Sequence, residues 1–506
     1  MSESKIADVK QLGLVSAIAS LGYVFWVVGG MEMVERLAYY GVRTVSGLYI
    51  TDPVSKGGLG VSVADLGSIF LIWALVQSLV PVLMGGISDR FGYKETIFLS
   101  TVIKIAGYLT MAFLPTYWGF VIGAIVLATG TGIFKPGIQG TLAKVTSRQN
   151  SSMAWGIFYQ TVNIGGWMGP LLAAQLRQLD WSHLFFACAA IISLNFLLLL
   201  TYKEPDKNER IEYRKKVNSG EIKEETLWRE SLAELGKPHV FLFLLLMCGF
   251  WFMFNALFDV LPLHIRDWVD TSVIVSGLFG AGSEPGAIAR FLFGMDQAGT
   301  KIMPEGLLNV NAGMIMLSCF LFAHISGKLQ SINSIIFGTI LCGVSFALIG
   351  FTAAGWIVLM GIVTFSAGEM FSSPKFLEVM SGFAPDDKKA MYLGFANLPL
   401  TVGWMLEAYL APMLYGKFSA KETLSREMLE VEGLSATDIA NIPQGEAFTR
   451  LVGLLAESPA AVTELLYMNN NVGVVWYIMS AVAILSAIGL VFYGAWMRRL
   501  LGRGSV

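Results

Sequence analysis

Charge is scarce in this chain. Of its 506 residues only 14% are Asp, Glu, Lys or Arg, where a soluble domain carries about 25%. The 35 basic and 37 acidic residues leave a net charge of −2, so no bulk field points to nucleic acid or to an acidic partner. Cysteine is scarcer still. Cys188, Cys248, Cys319 and Cys342 stand singly in apolar runs. With no CxxC pair and no His/Cys cluster, neither a zinc site nor a disulfide framework is expected, and no metal or cofactor. The four histidines, His183, His239, His264 and His324, lie near the ends of apolar runs, where an interfacial position is the expectation. No GxSxG, HExxH or P-loop pattern lies where it could serve catalysis, so an enzyme is not expected. The opening MSESKIADVKQLG lacks a basic segment and a cleavage site, so no removable signal peptide is read there.

Apolar sequence is what the chain has in plenty: 55% of residues are hydrophobic. Runs of membrane-spanning length, about 20 residues each, fall near 21–50, 63–87, 96–115, 118–141, 151–176 and 183–202. A second set falls near 239–262, 306–327, 331–351, 356–382, 389–415 and 472–497. The expectation is an all-α polytopic membrane protein with 12 transmembrane helices in two six-helix bundles, 1–202 and 238–506. The linker 203–237 carries Lys203, Lys207, Arg210, Arg214, Lys215, Lys216, Lys223, Arg229 and Lys237, which places it in the cytoplasm. Arg90, Lys94, Lys144, Arg148, Arg498, Arg499 and Arg503 agree, so both termini are expected to be cytoplasmic.

One stretch breaks the apolar pattern most sharply. In EMVERLAYYGVR, Glu32, Glu35, Arg36, Tyr39, Tyr40 and Arg43 recur at spacings that place them on one helix face. A charge at mid-span costs about 2.5–3.5 kcal/mol on insertion scales. Such groups persist by pairing with each other or by facing a wet cavity; a self-neutralised structural cluster is the alternative to a functional one. Lys104 is read as snorkelling from the third span. Lys375, Glu378 and Glu407 are read as facing internal water or lipid headgroups.

Two insertions, 264–305 and 417–471, fall on the outer side. The second reads as short helices, SAKETLSREMLEVEG, SATDIANI, QGEAFTRLVGLLAE and SPAAVTELLYMN, with Ser458 as an N-cap ahead of Pro459. A small helical cap is the expectation, and a selective lid the alternative. The halves also echo each other. GTGIFKPG at 130–137 and AGEMFSSPK at 367–375 each place a charge between glycine and proline in the fourth span of a set. Helix breakers at matching places point to a site at mid-membrane between the halves.

GGISDRFGYK, with Gly85, Asp89, Arg90, Gly92 and Lys94, resembles the cytoplasmic loop motif of the major facilitator superfamily, a latch between two helices. Within it, four segments are similar to the proton-dependent oligopeptide transporter family: the E-x-x-E-R of Glu32 to Arg36, the G-T-G-x-x-K-P of Gly130 to Pro136, the G-E-x-x-x-S-P of Gly368 to Pro374, and NIGGWMGPLL at 163–172. The resemblance implies proton coupling through Glu32, Glu35, Arg36 and Lys135. It implies a pocket of Tyr39, Tyr40, Arg43, Ser78, Asn163, Trp251, Asn255, Asn311, Glu369 and Ser373, with Glu369 meeting a peptide's amino end and the cations its carboxylate. The implied protein imports di- and tripeptides or similar zwitterionic solutes, acting as a monomer among membrane lipids in the bacterial inner membrane.

The chain departs from that family at several places. The acid expected four residues after Trp251 is Asn255, and the next position on that face is Asp259. Asp259 is therefore expected to form the gate pair with Arg43. Ser78 stands where the family has a tyrosine, and the eleventh span offers Asn397 and Pro399 in place of a tryptophan. A proton-coupled carrier or exporter of another organic solute, or a solute sensor on the same scaffold, is the alternative.

Overall fold

The computed structural model describes residues 14–147, 150–205, 207–219, 227–385 and 389–501. The opening residues 1–13, Arg148, Lys223 and Arg503 lie outside the described residues. Among the described residues twelve helices have 17 residues or more: α1 (Tyr23–Arg43), α2 (Val63–Phe91), α3 (Tyr93–Phe113), α4 (Tyr117–Val145), α5 (Ser151–Leu176), α6 (Trp181–Thr201), α7 (Pro238–Asp259), α8 (Val310–Ser326), α9 (Ser331–Phe351), α10 (Gly355–Phe383), α11 (Asn397–Phe418) and α12 (Val474–Leu501). Their starts obey local chemistry. Thr116 caps α4 by accepting from Gly119 N, Asp180 caps α6 by accepting from Ser182 N, and α7 opens on Pro238 at its first position.

The fold is all-α and the protein is a multi-pass membrane protein. Among the described residues eight helices are long and apolar enough to cross a membrane: α2, α3, α4, α6, α7, α9, α10 and α12. A bent pair, Ala447–Leu455 and Pro459–Asn469, also passes when joined, but it belongs to the second insertion. The other four long helices are shorter or more polar. α1 carries Glu32, Glu35, Arg36 and Arg43, α11 carries Glu407, α8 has 17 residues, and Gln160, Asn163 and Gln175 thin out α5.

Packing joins α1 to α5 and α6, α3 to α4 and α6, and α2 to α4. In the second half α9 packs on α10 and α12, α7 on α11 and α12, and α8 on α10. The halves meet along α2–α11 and α5–α8. The α1–α5 contact is backbone on backbone. A Cβ on Gly165 would fall 2.4 Å from Met33 O, and one on Gly169 2.5 Å from Leu37 O. Small residues four apart permit this approach, which sets the stripe of α1 close to the α5 backbone.

The insertions form a cap at one end, with its own core of Trp268, Leu424, Leu429, Leu451, Val462 and Leu466. Ser458 accepts from Ala461 N at 3.2 Å at the head of Pro459–Asn469. The opposite end bears the linker.

Three sequence readings need correction here. The first run is not one helix: α1 stops at Arg43, and a separate turn, Ser46–Thr51, follows. The eleventh run breaks between Lys389–Phe395 and α11. Pro399, the third residue of α11, cannot donate to Phe395 O and would clash with it in a continuous helix. His264 is not interfacial. It is 1% exposed, and its Nδ1 accepts from Trp476 Nε1 at 3.1 Å beneath the cap.

Candidate functional site

The polar stripe of α1 is buried and internally paired. Arg36 Nε lies 2.9 Å from Glu32 Oε1 and 2.8 Å from Glu35 Oε2. Lys104 of α3 places its Nζ 3.6 Å from Glu35 Oε1 and 3.6 Å from the centroid of the Phe134 ring. Thr131 of α4 donates to Glu35 Oε1 at 3.5 Å. Lys104 is fully buried and does not snorkel. The glycines of α4 explain why: a Cβ on Gly130 would fall 2.6 Å from Lys104 Cγ. That glycine leaves a channel for the lysine stem, and an ammonium inside a span is cheaper beside a carboxylate than alone. The sequence held only a lone lysine in an apolar run, so it gave no sign of this partner.

Lys135 lies one turn beyond Thr131 and is half-buried. It is in electrostatic reach of Glu32, Glu35 and Arg36, and among the described residues it has no carboxylate within ion-pair distance. By formal charge the cluster has three cations, Arg36, Lys104 and Lys135, and two acids, Glu32 and Glu35. One positive charge is left over.

Glu369 of α10 supplies the opposite sign. Asn311 of α8 donates Nδ2 to Glu369 Oε2 and to Ser366 Oγ, each at 3.0 Å. No cation pairs with Glu369 among the described residues. Tyr40 lies in electrostatic reach of both Arg36 and Glu369, and Tyr159 of Glu369. Unbalanced charges of opposite sign thus stand on the two halves, with the α1 and α5 tyrosines between them.

Toward the cap end, Arg43 and Asp259 form an ion pair with side chains 5% and 0% exposed. Trp404 of α11 donates Nε1 to Asp259 Oδ2 at 3.4 Å. The Arg43 guanidinium lies over the rings of Phe70, Trp73 and Trp404 at 4.9, 5.6 and 5.2 Å. Asn255 donates to Trp251 O of its own helix at 2.7 Å, so it takes no part in this pair. Glu407 of α11 is fully buried against Asp259 and near Arg43; it faces neither headgroups nor internal water.

Two more ion pairs join the halves toward the cap. Arg177, just past the end of α5, holds Glu305 through Nε at 2.5 Å and Nη2 at 3.0 Å. Arg266, beyond α7, reaches Asp52 Oδ1 at 2.9 Å and donates to Thr51 Oγ1 at 2.7 Å. Among the described residues, every ion pair between the halves lies toward this end.

Tyr39 is packed inside, sharing hydrogen bonds with Gln77, which also accepts from Trp73 Nε1 at 3.0 Å. Gln77, not its neighbour Ser78, is the α2 residue turned to α1. Asn163 donates to Tyr159 O at 2.8 Å. Ser373 Oγ and Trp251 Nε1 are buried without a hydrogen-bond partner among the described residues. Lys375 pairs with Glu378 at 2.7 Å. In the loop motif, Gly92 has φ +114°, a conformation that favours glycine, and Lys94 donates to Tyr202 O at 3.2 Å. The side chains of Asp89 and Arg90, and the surroundings of Gly85, lie outside the described residues.

The family model for the Major Facilitator Superfamily matches residues 36–406. A Na(+), Li(+), K(+)/H(+) antiporter of Planococcus maritimus is 26% identical over 400 residues, 76% of this chain and 87% of its own length. A di-/tripeptide transporter of Lactococcus lactis subsp. lactis is 30% identical over 165 residues. That match spans only 32% of this chain and 33% of the relative. A crystal structure of a peptide transporter POT in complex with sulfate superposes with TM-score 0.66 at 15% identity, covering 97% of this chain and 99% of that one.

Proposed function

The chain belongs to the Major Facilitator Superfamily, and from that premise we propose that it is a proton-coupled symporter importing di- and tripeptides or similar zwitterionic solutes. One observation carries the reading. A surplus cation in the Glu32, Glu35, Arg36, Lys104 and Lys135 cluster stands opposite an unpaired Glu369 on the other half. A solute with a carboxylate at one end and an ammonium at the other neutralises both at once. Leaving either buried charge uncompensated costs several kcal/mol, so the empty site resists closing and the filled one permits it.

Glu32 and Glu35 are the proton-accepting groups in this scheme. Arg36 is shared between them, and protonating one carboxylate frees its share of the guanidinium for the solute. The three ion pairs toward the cap make the conformation closed at that end, which the positive-inside pattern assigns to the outside. Opening that end requires Arg43, Arg177 and Arg266 to leave their partners as the halves rock.

The test is a Glu32→Gln plus Glu35→Gln variant in liposomes. Proton-driven accumulation of dialanine should vanish, while exchange of labelled for unlabelled dialanine at symmetric pH persists. Undiminished proton-driven accumulation in the variant would sink the reading. A proton-coupled carrier of another solute is the second reading, favoured by the antiporter relative that aligns over most of the chain. Under it, dialanine neither enters nor alters proton flux.

A further inference from the structure

The group the symport scheme leaves unused is Glu407. It lies at mid-helix in α11 and is 0% exposed. Among the described residues neither of its oxygens finds a hydrogen-bond donor, and Arg43 Nη1 close by finds no acceptor. Its neighbour is the Asp259 carboxyl, and Arg43 is the cation in reach. The groups facing this pocket are Arg43 and Tyr39 from α1, Gln77 and Trp73 from α2, Asp259 from α7 and Trp404 from α11. Two carboxyls therefore share one arginine in a site closed to water.

Fully ionised, that site would bury one uncompensated negative charge, at a cost of several kcal/mol. It would also press two carboxylates together with no proton between them. One proton removes both penalties. It neutralises the surplus charge and places a donor between two carboxyls that otherwise turn only acceptors toward each other. We propose that Glu407 and Asp259 form a proton-binding site whose single bound proton lets the Arg43–Asp259 gate close. In balance, the gate takes one proton from the outer medium as it closes. Glu407 then donates a hydrogen bond to Asp259, and Asp259 keeps its charge for Arg43. The site releases the proton when the gate opens and water reaches the carboxyls. The chemistry deepens the proton-coupling reading and rests on it, but it does not depend on which solute is carried.

Because the closed gate holds one proton more than the open gate, acid favours closure, by up to about tenfold in the closed-to-open ratio per pH unit. Spin labels at Val54 and Val431, both highly exposed near the cap, report that ratio by their separation. The wild type should shift toward closure as pH falls. Glu407→Gln, which carries a permanent donor and no charge, should hold the closed ratio across the same range. Infrared difference spectra at neutral pH provide a readout independent of transport. A protonated-carboxyl C=O band should be present in the wild type and lost in Glu407→Gln. It should also be lost in Asp259→Asn, where Arg43 is free to neutralise Glu407 directly.

A band that survives in Glu407→Gln, or a variant whose gate keeps the full pH response, overturns the proposal. Both variants should elute as monodisperse protein, and the infrared result from either one decides if the other fails to fold. If dialanine is not transported while the band and the pH response behave as described, the solute assignment falls and the proton site stands. If coupled uptake is normal and the band is absent from the wild type, the proton site falls alone.

Discussion

The stem of Lys104 fills the space that a side chain on Gly130 would need: a Cβ there would lie 2.6 Å from Lys104 Cγ and 3.1 Å from Lys104 N. The glycine of α4 and the lysine of α3 are thus one feature. Its purpose in the fold is to bring an ammonium to Glu35.

Gly130→Ala should therefore act through Lys104. The added methyl forces the lysine stem or the α3 backbone aside, at about 1–3 kcal/mol for overpacking. The expected result is a melting temperature lowered by a few degrees and proton-driven uptake reduced at least tenfold. A thermal melt and an uptake assay on the same preparation check it. A variant with wild-type uptake would show that Lys104 has no part in coupling.

The cap-end clamps predict a second effect. Arg177–Glu305 and Arg266–Asp52 join the halves without touching the central cluster. Arg177→Met together with Asp52→Asn should favour the conformation open at that end, with the Val54 to Val431 spin-label distance distribution shifted to longer values. Each pair is partly buried, so loss of both should move the open-to-closed ratio by about tenfold or more. An unchanged distribution would mean that the Arg43–Asp259 pair alone holds the gate.

These relationships were unequally legible in the sequence. The face of α1 could be read because six polar residues obey the 3.6-residue period inside an apolar run, and the short helices of the cap could be read from Ser458, Pro459 and the glycines between them. Lys104 could not. A single lysine in an apolar helix is equally consistent with snorkelling, and only the packing of Gly130 excludes it. Ser78 and Gln77 show a related limit. Neighbours on a helix point about 100° apart, and an almost uniformly apolar helix gives no period to choose between them. Glu407 was visible as a charge, but its partner lies on another helix, 148 positions earlier (407 − 259). The break before α11 was there to be read in Pro399, and a run chosen by hydropathy alone passed over it.

The cap makes a prediction in pH. Lys421 begins the helix Lys421–Val431, donates to Thr463 Oγ1 at 3.1 Å and lies over the Trp268 and Phe448 rings. Burial pushes its ammonium down to about 8, with Asp267 opposing and Arg266 and Lys301 adding to the effect. Between about 8 and its ordinary value of 10.5, the unfolded cap binds a proton that the folded cap does not. Cap stability therefore rises with pH across that window. Trp268 fluorescence during thermal unfolding should show the rise, and Lys421→Met should flatten it. A stability that falls over the same window in the wild type would contradict the assignment.

The central claim is that a zwitterionic solute closes a charge gap between the two halves and that protons drive its entry. Uptake of labelled dialanine into liposomes holding the purified protein, with an inward proton gradient and with the gradient collapsed, tests it most directly. The account predicts accumulation above the outside concentration under the gradient and only equilibration without it, with Glu369→Gln weakening half-saturation at least tenfold. Dialanine that fails to enter under either condition, or that accumulates equally in both, would contradict it.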